Sequence, residues 1–393
     1  MKILLVVEPG LNGVFRYVET LASFLIEQQM EVHLAYSDCR FSSRLWALIE
    51  HVERNGGRTV NLSVSSRPTL GDVRALWRLR ALAAEVRPDI IHCHSAKAGG
   101  LARLLPLTGL TGPRYIYHPH AYIGMRPSRH RTDFIYDTIE RILARWSTTL
   151  CCSHDEFNYS RHTLRIPAHS VMHTSNGVDC DRFRPASPER RAELRKKFGL
   201  PETGLVLGTM GRTSEQKDPL TLYGAFARAA RQRPGLTLFH VGCGELDGEL
   251  DKFIKAQGLG SRVVRLKYLS TPAEFYQAID GFILTSRYEG LSLALLEALA
   301  TDLPLVLSEA PGNMDVLDLP LTQAWSAPVG DEAAFFGAIS QWAQARSRPQ
   351  PPPPNHRAIM RERFDQNKRL MDVVGVYQSQ IPIRGRMAPL VAR

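Results

Sequence analysis

Short apolar runs alternate along this chain with longer stretches in which apolar residues recur at three- and four-residue spacing. Lys2–Glu8 is a run of the first kind and reads as a strand. Phe15 to Gln29 is of the second kind, with Phe15, Val18, Leu21, Ala22, Leu25 and Ile26 along one helical face. A glycine-bearing loop, Gly10–Gly13, joins the two. Val32–Tyr36 is the next strand, Trp46–Arg54 a helix, Arg58–Leu62 a strand and Gly71–Glu85 a helix. Ile90–His92, Ala98–Leu105 and Tyr115–His118 continue as strand, helix and strand. Such alternation predicts a parallel sheet covered on both faces.

After a turn-rich link, Asp179–Pro185, the pattern restarts. Strands are predicted at Val206–Met210, Leu236–Val241, Val263–Leu266, Gly281–Thr285 and Leu303–Leu307. Helices are predicted at Pro219–Gln232, Gly248–Gln257, Pro272–Ala278 and Leu293–Ala300. Two Rossmann-like α/β halves follow, over 1–180 and 181–355. In open sheets of this kind ligands bind beyond the carboxyl ends of the strands, so two facing sheets make an interdomain cleft. The proline run Pro349 to Pro354 is a stiff extended spacer. A helical pattern from His356 to about Gln378 is expected to pack back on the first half as a helix over about 357–380, and 381–393 to form a loose tail.

Composition narrows the class. A chain of 393 residues with a 44% hydrophobic fraction has the length and apolar content of a two-domain folded protein. No apolar run reaches the roughly 18 residues that span a bilayer, and the start reads as a buried strand rather than a secretory signal. The six cysteines have no metal spacing, which points to a reduced, cytoplasmic chain. Net charge is +10, and its distribution matters more than its size. From Ile90 to Thr132 there is no acid, while Lys97, Arg103, Arg114, Arg126, Arg129 and Arg131 share the stretch with His92, His94, His118, His120 and His130. The aromatic and basic residues do not interleave on a strand as single-strand nucleic-acid binders require, so nucleic acid is not an expected partner. The basic stretch suits an anionic membrane surface, a lipid-linked diphosphate or a plain solvated loop.

The chemistry gathers at predicted strand ends. Glu289 and Glu297 stand eight positions apart in Ser286-Arg287-Tyr288-Glu289-Gly290-Leu291-Ser292-Leu293-Ala294-Leu295-Leu296-Glu297. A helix starting near Ser292 aims unpaired N–H groups and its positive end at the loop. That makes a phosphate pocket flanked by carboxylates, or else an ordinary amphipathic helix with one solvent-facing glutamate. Gly211-Arg212 and Lys217 lie between a strand end and the helix opening at Pro219. Two cations there clamp a diphosphate, or pair with Glu215 and Asp218. Gly242 in Val241-Gly242-Cys243-Gly244-Glu245 ends a third strand and permits close backbone approach, or is a plain turn.

Taken in order, Gly211-Arg212 with Lys217, the Gly242 turn and the Glu289 to Glu297 segment resemble the retaining GT-B glycosyltransferases of family GT4. Ser175-Asn176-Gly177-Val178-Asp179 with Phe183 resembles that family's interdomain link, and the likeness runs from about Met1 to Arg363. It implies a GT-B fold: two facing Rossmann-like domains, the second holding a UDP- or GDP-linked sugar, the first a glycan or lipid-linked sugar acceptor. It implies that Arg212 and Lys217 hold the pyrophosphate, that Glu297 takes the ribose hydroxyls and that Glu289 meets the sugar. The Leu291 and Ser292 amides beside Gly290 then approach sugar or phosphate, and Leu266 and Lys267 meet the base. The family usually has an aromatic residue and a glycine where this chain has Arg265 and Lys267. Gly13 matches the second glycine of the family's early turn, with Asn12 in place of the first. His94, Lys97, His118 and His120 look like acceptor-side residues, with His120 nearest the reacting sugar.

The resemblance implies bacterial exopolysaccharide, capsule or lipopolysaccharide synthesis, without a metal or other cofactor, by a cytoplasmic enzyme working at or near the inner face of the membrane. No Asp-x-Asp triplet stands at a strand end to support a metal-dependent alternative. A nucleotide-sugar epimerase of the same fold and a non-catalytic nucleotide-binding relative are the competing readings. A dinucleotide oxidoreductase would need G-x-G-x-x-G after the first strand, and Gly10-Leu11-Asn12-Gly13 does not supply it.

Overall fold

In a computed structural model the chain is described except at residues 9, 11, 40–41, 66–67, 129, 348–353 and 382–393. The first part runs β1 (Lys2–Val7), α1 (Asn12–Glu27), β2 (Glu31–Tyr36), α2 (Ser43–Arg54), β3 (Thr59–Asn61), α3 (Gly71–Val86), β4 (Ile90–His94), α4 (Ala96–Leu104), β5 (Arg114–His118), α5 (Arg131–Leu143), β6 (Thr148–Cys151), α6 (His154–Asn158) and β7 (Val171–His173). The second runs α7 (Pro188–Phe198), β8 (Leu205–Met210), α8 (Pro219–Gln232), β9 (Leu236–Val241), α9 (Asp247–Ala256), β10 (Val263–Leu266), α10 (Pro272–Ala278), β11 (Gly281–Leu284), α11 (Leu293–Ala300), β12 (Leu305–Ser308), α12 (Met314–Leu317), β13 (Ala324–Ala327) and α13 (Glu332–Arg346). Then come α14 (His356–Arg363) and α15 (Gln366–Gln380).

The strands form two parallel sheets, ordered β3-β2-β1-β4-β5-β6-β7 and β10-β9-β8-β11-β12-β13. Strand order reverses between β1 and β4 and between β8 and β11, so each sheet has its crevice there. Helices cover both faces, and the central strands are therefore apolar on both sides: Ile3 through Val7 are fully buried. Leu4, Val6 and Cys93 pack beneath α3 and α4, while Ile3, Leu5 and Val7 pack against α1, α2 and α15. The expected α/β architecture of two Rossmann-like domains is what the chain forms.

Three local readings change. α1 begins at Asn12, so Gly13 lies in its first turn rather than in a loop. The helix expected from His356 to about Gln378 is two, broken at Phe364-Asp365 because the Asp365 carboxylate caps a new start, accepting from Lys368 N at 3.0 Å. α14 packs Met360, with Phe364 after it, on the second domain, whereas α15 packs Leu370, Val373, Val374 and Tyr377 on the first. The proline spacer up to Pro353 and the tail beyond Ile381 lie outside the described residues.

The break is where the chain recrosses between domains beside the 175–183 link. Val178 N donates to Phe364 O (2.8 Å) and Gln366 N to Val178 O (3.2 Å). Gly177 sits against this crossing, and a Cβ on it would stand 2.5 Å from Gln366 Cα. A second device holds the loop after β5. His120 and Ala121 have φ of 60° and 118°, a left-handed region that alanine adopts only under strain. Buried Glu156 restrains it, accepting from Ala121 N and Cys152 N at 2.7 Å each. Burial pushes the Glu156 carboxyl up to about 7.

Gly177→Ala is expected to destabilise the protein by about 1–3 kcal/mol in urea unfolding, since backbone rather than a flexible side chain must yield. Gly248→Ala, in α9 with open space around it, is expected to be neutral or mildly stabilising. For Glu156, a raised folded-state pKa means a contribution to stability that is present at low pH and declines as pH rises through about 7. Glu156→Gln removes one acceptor and should melt below the parent, with the gap narrowing between about pH 5 and about pH 7.5; a gap constant with pH would contradict the buried-carboxylate account.

Candidate active site

At the switch point of the second sheet, the loops after β8 and β11 are sewn together. Thr285 Oγ1 donates to Lys217 O (3.1 Å) and Asp218 O (3.0 Å), Arg287 N to Gln216 O (2.7 Å), and Gln216 Nε2 to Tyr288 O (3.0 Å). This scaffold aims Lys217 Nζ at Glu289 Oε1, which also accepts from Ser286 Oγ (2.5 Å). Lys217 is thus not paired with Glu215 or Asp218, and Asp218 instead pairs with Arg287 (3.2 Å). Half-buried Arg212 pairs with no carboxylate among the described residues, leaving its guanidinium available at the same edge. Gly242 is the adjoining wall: with φ 148°, a Cβ there would collide with Gly211 O at 1.8 Å, so the Arg212 loop and the β9 end close-pack only through a glycine.

α11 opens at Ser292, and no side chain caps it. Its first-turn amides and positive end therefore remain for a ligand. Glu297, one turn further in, is buried rather than solvent-facing. Its carboxylate accepts from Tyr276 Oη (2.8 Å) and is forked by Arg16, reaching from α1 across the domain boundary. Glu289 and Glu297 therefore flank one helix end but have different electrostatic partners, one a lysine of its own domain and one an arginine of the other.

The first domain answers with imidazoles. His92 and His94 project to one side of β4, the cross-strand neighbour of His94 is His118, and His120 follows β5. His118 and His120 stack at 3.8 Å and 11°, with Tyr17 edge-on to both. His92 Nδ1 is bonded to Tyr377 Oη (2.6 Å) and His94 Nδ1 to His120 Nε2 (3.0 Å). Desolvation lowers all four imidazoles, His92 and His120 to about 3 and His94 and His118 well below the usual range. They are neutral at physiological pH. Ring nitrogens of His92, His94 and His118 lie within 4.8 Å of one another, as do donor atoms of His118, His120 and Cys152.

The two sides touch. A Cβ on Gly290 would stand 2.8 Å from Cys152 Sγ and 2.9 Å from the His120 carbonyl carbon. Asn176 Nδ2 donates to Leu291 O (2.8 Å), and Asp155 accepts from Gly312 N (2.7 Å). Gly290, Leu291, Ser292, Glu289, Lys217 and His120 are thus brought together. Gly13 is exposed at the start of α1, with no atom within 4 Å of where a side chain would begin. Lys97 is drawn away to Asp72 of α3 (2.5 Å). Lys267 is exposed, the Leu266 carbonyl accepts from Gly242 N (2.8 Å), and Arg265 turns back to pair with Asp247 and Asp251. Sequence reasoning passed over Arg16, Tyr276, Ser286 and Glu156. Ser286 lay inside the quoted motif; Tyr276 reads as an ordinary core aromatic.

Comparison with known proteins agrees with this geometry. The family described as Glycosyltransferase Family 4 matches residues 11–182, and that described as Glycosyl transferases group 1 matches 190–370. An Escherichia coli UDP-Gal:alpha-D-GlcNAc-diphosphoundecaprenol alpha-1,3-galactosyltransferase is 31% identical over 62% of this chain and 63% of its own length, so the alignment spans less than two thirds of that relative. The putative glycosyltransferase EpsD of Bacillus subtilis is 26% identical over 64% of this chain and 67% of its own. Among solved structures, Anabaena HepE in complex with UDP and glucose superposes with a TM-score of 0.77 at 20% identity, covering 96% of this chain and 100% of that one. Matched by these two adjoining families along most of its length, the chain belongs to the family 4 glycosyltransferases of GT-B fold.

Proposed function

We propose that this protein is a retaining glycosyltransferase that moves a sugar from a UDP- or GDP-linked donor to a glycan or lipid-linked sugar in the synthesis of a bacterial surface polysaccharide. One observation carries the reading: two cations, an uncapped helix end and a buried carboxylate converge beside Gly290, and Gly290 rests on the backbone of His120 from the opposite domain. The relative from E. coli, named for a UDP-sugar donor and a diphosphoundecaprenol-linked acceptor, supports the substrate classes. Work at the inner face of an anionic membrane belongs to the same proposal.

In this reading the sugar–phosphate bond breaks and the diphosphate leaves with extra negative charge. Arg212, Lys217 and the amides at the start of α11 stabilise it; such preorganised donors often supply the largest catalytic term, and the proposal needs no metal. Glu289, tethered by Lys217 and Ser286, positions the donor sugar. The acceptor oxygen forms its bond to the anomeric carbon on the face the diphosphate departs from, and its proton passes to the leaving phosphate oxygen. A neutral His120 fits that sequence. With its pKa pushed to about 3, the imidazole is too weak a base to take the proton at neutral pH, but it orients a hydroxyl well. Glu297 receives the ribose hydroxyls in exchange for Arg16, so nucleotide binding replaces an interdomain ion pair.

Nucleoside-diphosphate release with and without acceptor tests the assignment. Lys217→Ala is expected to lower kcat by about 10²–10³, the usual cost of removing one transition-state donor. Glu297→Gln should act mainly on donor KM, raising it about 10-fold or more through loss of a charged hydrogen bond. Turnover that persists unchanged in both variants would overturn the proposed roles. The pH profile is a further check: His120 should contribute no ionisation between about pH 5 and about pH 9, and a limb near 6.5 abolished by His120→Gln would refute the neutral-imidazole account.

A further inference from the structure

α5 is amphipathic in the reverse sense. Its three acids, Asp133, Asp137 and Glu140, fall at i, i+4 and i+7 and all turn toward the protein. Each is bonded there. Asp133 accepts from Arg126 (2.7 Å) and His130 N (2.9 Å), Asp137 from Tyr159 Oη (2.6 Å), and Glu140 from Arg103 Nη2 (2.8 Å) and Tyr117 Oη (3.0 Å). The other side presents Phe134 at 70% exposure, Ile135 at 59%, and Ile139 and Ile142 at 45% each. The exposed charges of the helix and the turn after it are Arg131, Arg141 and Arg145, all basic. Rotating α5 to bury its isoleucines would strip three carboxylates of their partners, and an unpartnered buried charge is far costlier than an exposed methyl group. The outward apolar stripe is therefore locked in place.

The same helical layer extends it. Lys97 of α4 pairs with Asp72 of α3, and Arg103 of α4 with Glu140 of α5, so the three helices stand side by side over one face of the first sheet. α3 adds Leu70, Val73 and Trp77 at i, i+3 and i+7, all more than half exposed, and Leu107 follows α4 at 64%. Isolated exposed apolar residues are ordinary, whereas a larger apolar patch rimmed by polar residues marks a docking surface.

We infer that this face seats the enzyme on an anionic lipid bilayer, with the α5 stripe at the boundary of headgroups and acyl chains and its arginines on lipid phosphates. Charge selects this occupant. A second copy of α5 would bring arginine against arginine, since the exposed charges of α5 and the turn after it are all basic, while anionic lipid supplies the missing sign. Geometry makes it useful: the chain passes from His120 through 121–130 straight into α5, so docking brings the acceptor side to the surface where a lipid-linked sugar lies. None of the described helices is long and apolar enough to cross a membrane. The inference rests on the proposed lipid-linked acceptor for its purpose but not for its test.

Flotation of the full chain with phosphatidylcholine vesicles, with and without phosphatidylglycerol, is the experiment. The parent should bind the anionic vesicles at least about tenfold better than the neutral ones, and lose that preference at high salt. Phe134→Ser/Ile139→Ser, both exposed and outside the reaction site, should reduce vesicle binding about tenfold or more. Its UDP-induced thermal shift and its transfer to a water-soluble acceptor should match the parent. Equal binding by parent and variant, absence of binding by the parent, or a parent dimer in sedimentation that the variant dissolves would each overturn the inference. Loss of sugar transfer in every form, with vesicle binding intact, would instead remove the transferase reading and leave the membrane face standing.

Discussion

A parallel sheet delivers the carboxyl end of every strand to one edge, and this molecule depends on two such edges being turned toward each other. Each edge is a row of loops whose backbone is free of the ladder and whose side chains can meet a ligand. With one sheet, a reaction between two substrates would leave one of them in water. With two, the loops of both domains form the walls of one chamber. The double crossing at Val178 and Asp365 maintains that orientation. It ties the outgoing link to the returning chain, so the domains are joined by two bridged crossings rather than by a single thread.

The walls differ electrically. The second domain offers cations and the positive end of a helix, with Lys217 already paired with Glu289. The first offers four neutral imidazoles and tyrosines packed as aromatic surface. Under the proposed reaction, charge that develops during bond breaking falls to one side, while the other provides shape and hydrogen bonds. The Arg16–Glu297 pair is the exception, a cation of the first domain placed on a carboxylate of the second.

Much of the second domain was legible because its elements are sharply punctuated. Pro219 and Pro272 open α8 and α10, short apolar runs end in glycine or polar turns, and these boundaries fall within about two residues of the predicted ones. The omissions have physical causes. α7 is nearly all charge, with only Leu194 and Arg195 buried, and so has no apolar period. α13 is apolar on most sides, which blurs any face. α5 inverts the usual pattern, and β6, β7 and β13 are four residues or fewer. In the site, the grouping of Lys217, Glu289 and α11 followed from strand ends sharing one edge. The partner of Glu297 did not: Arg16 lies 281 residues away, and nothing local announces that it crosses the boundary.

Gly290 has a consequence of a mechanical kind. A two-domain enzyme needs more than a hinge that closes; it needs a stop that defines how far. Here Gly290 meets the Cys152 sulfur and the carbonyl of His120, a residue whose own left-handed conformation is braced by Glu156. Backbone does not change rotamer, so this end point is reproducible in a way that interlocking long side chains would not be. Glu289 precedes the stop on one side and the His120 ring projects from it on the other. The gap between the Glu289 carboxylate and the His120 imidazole is thereby set in part by this contact, and the missing methyl group of one residue acts as the gauge.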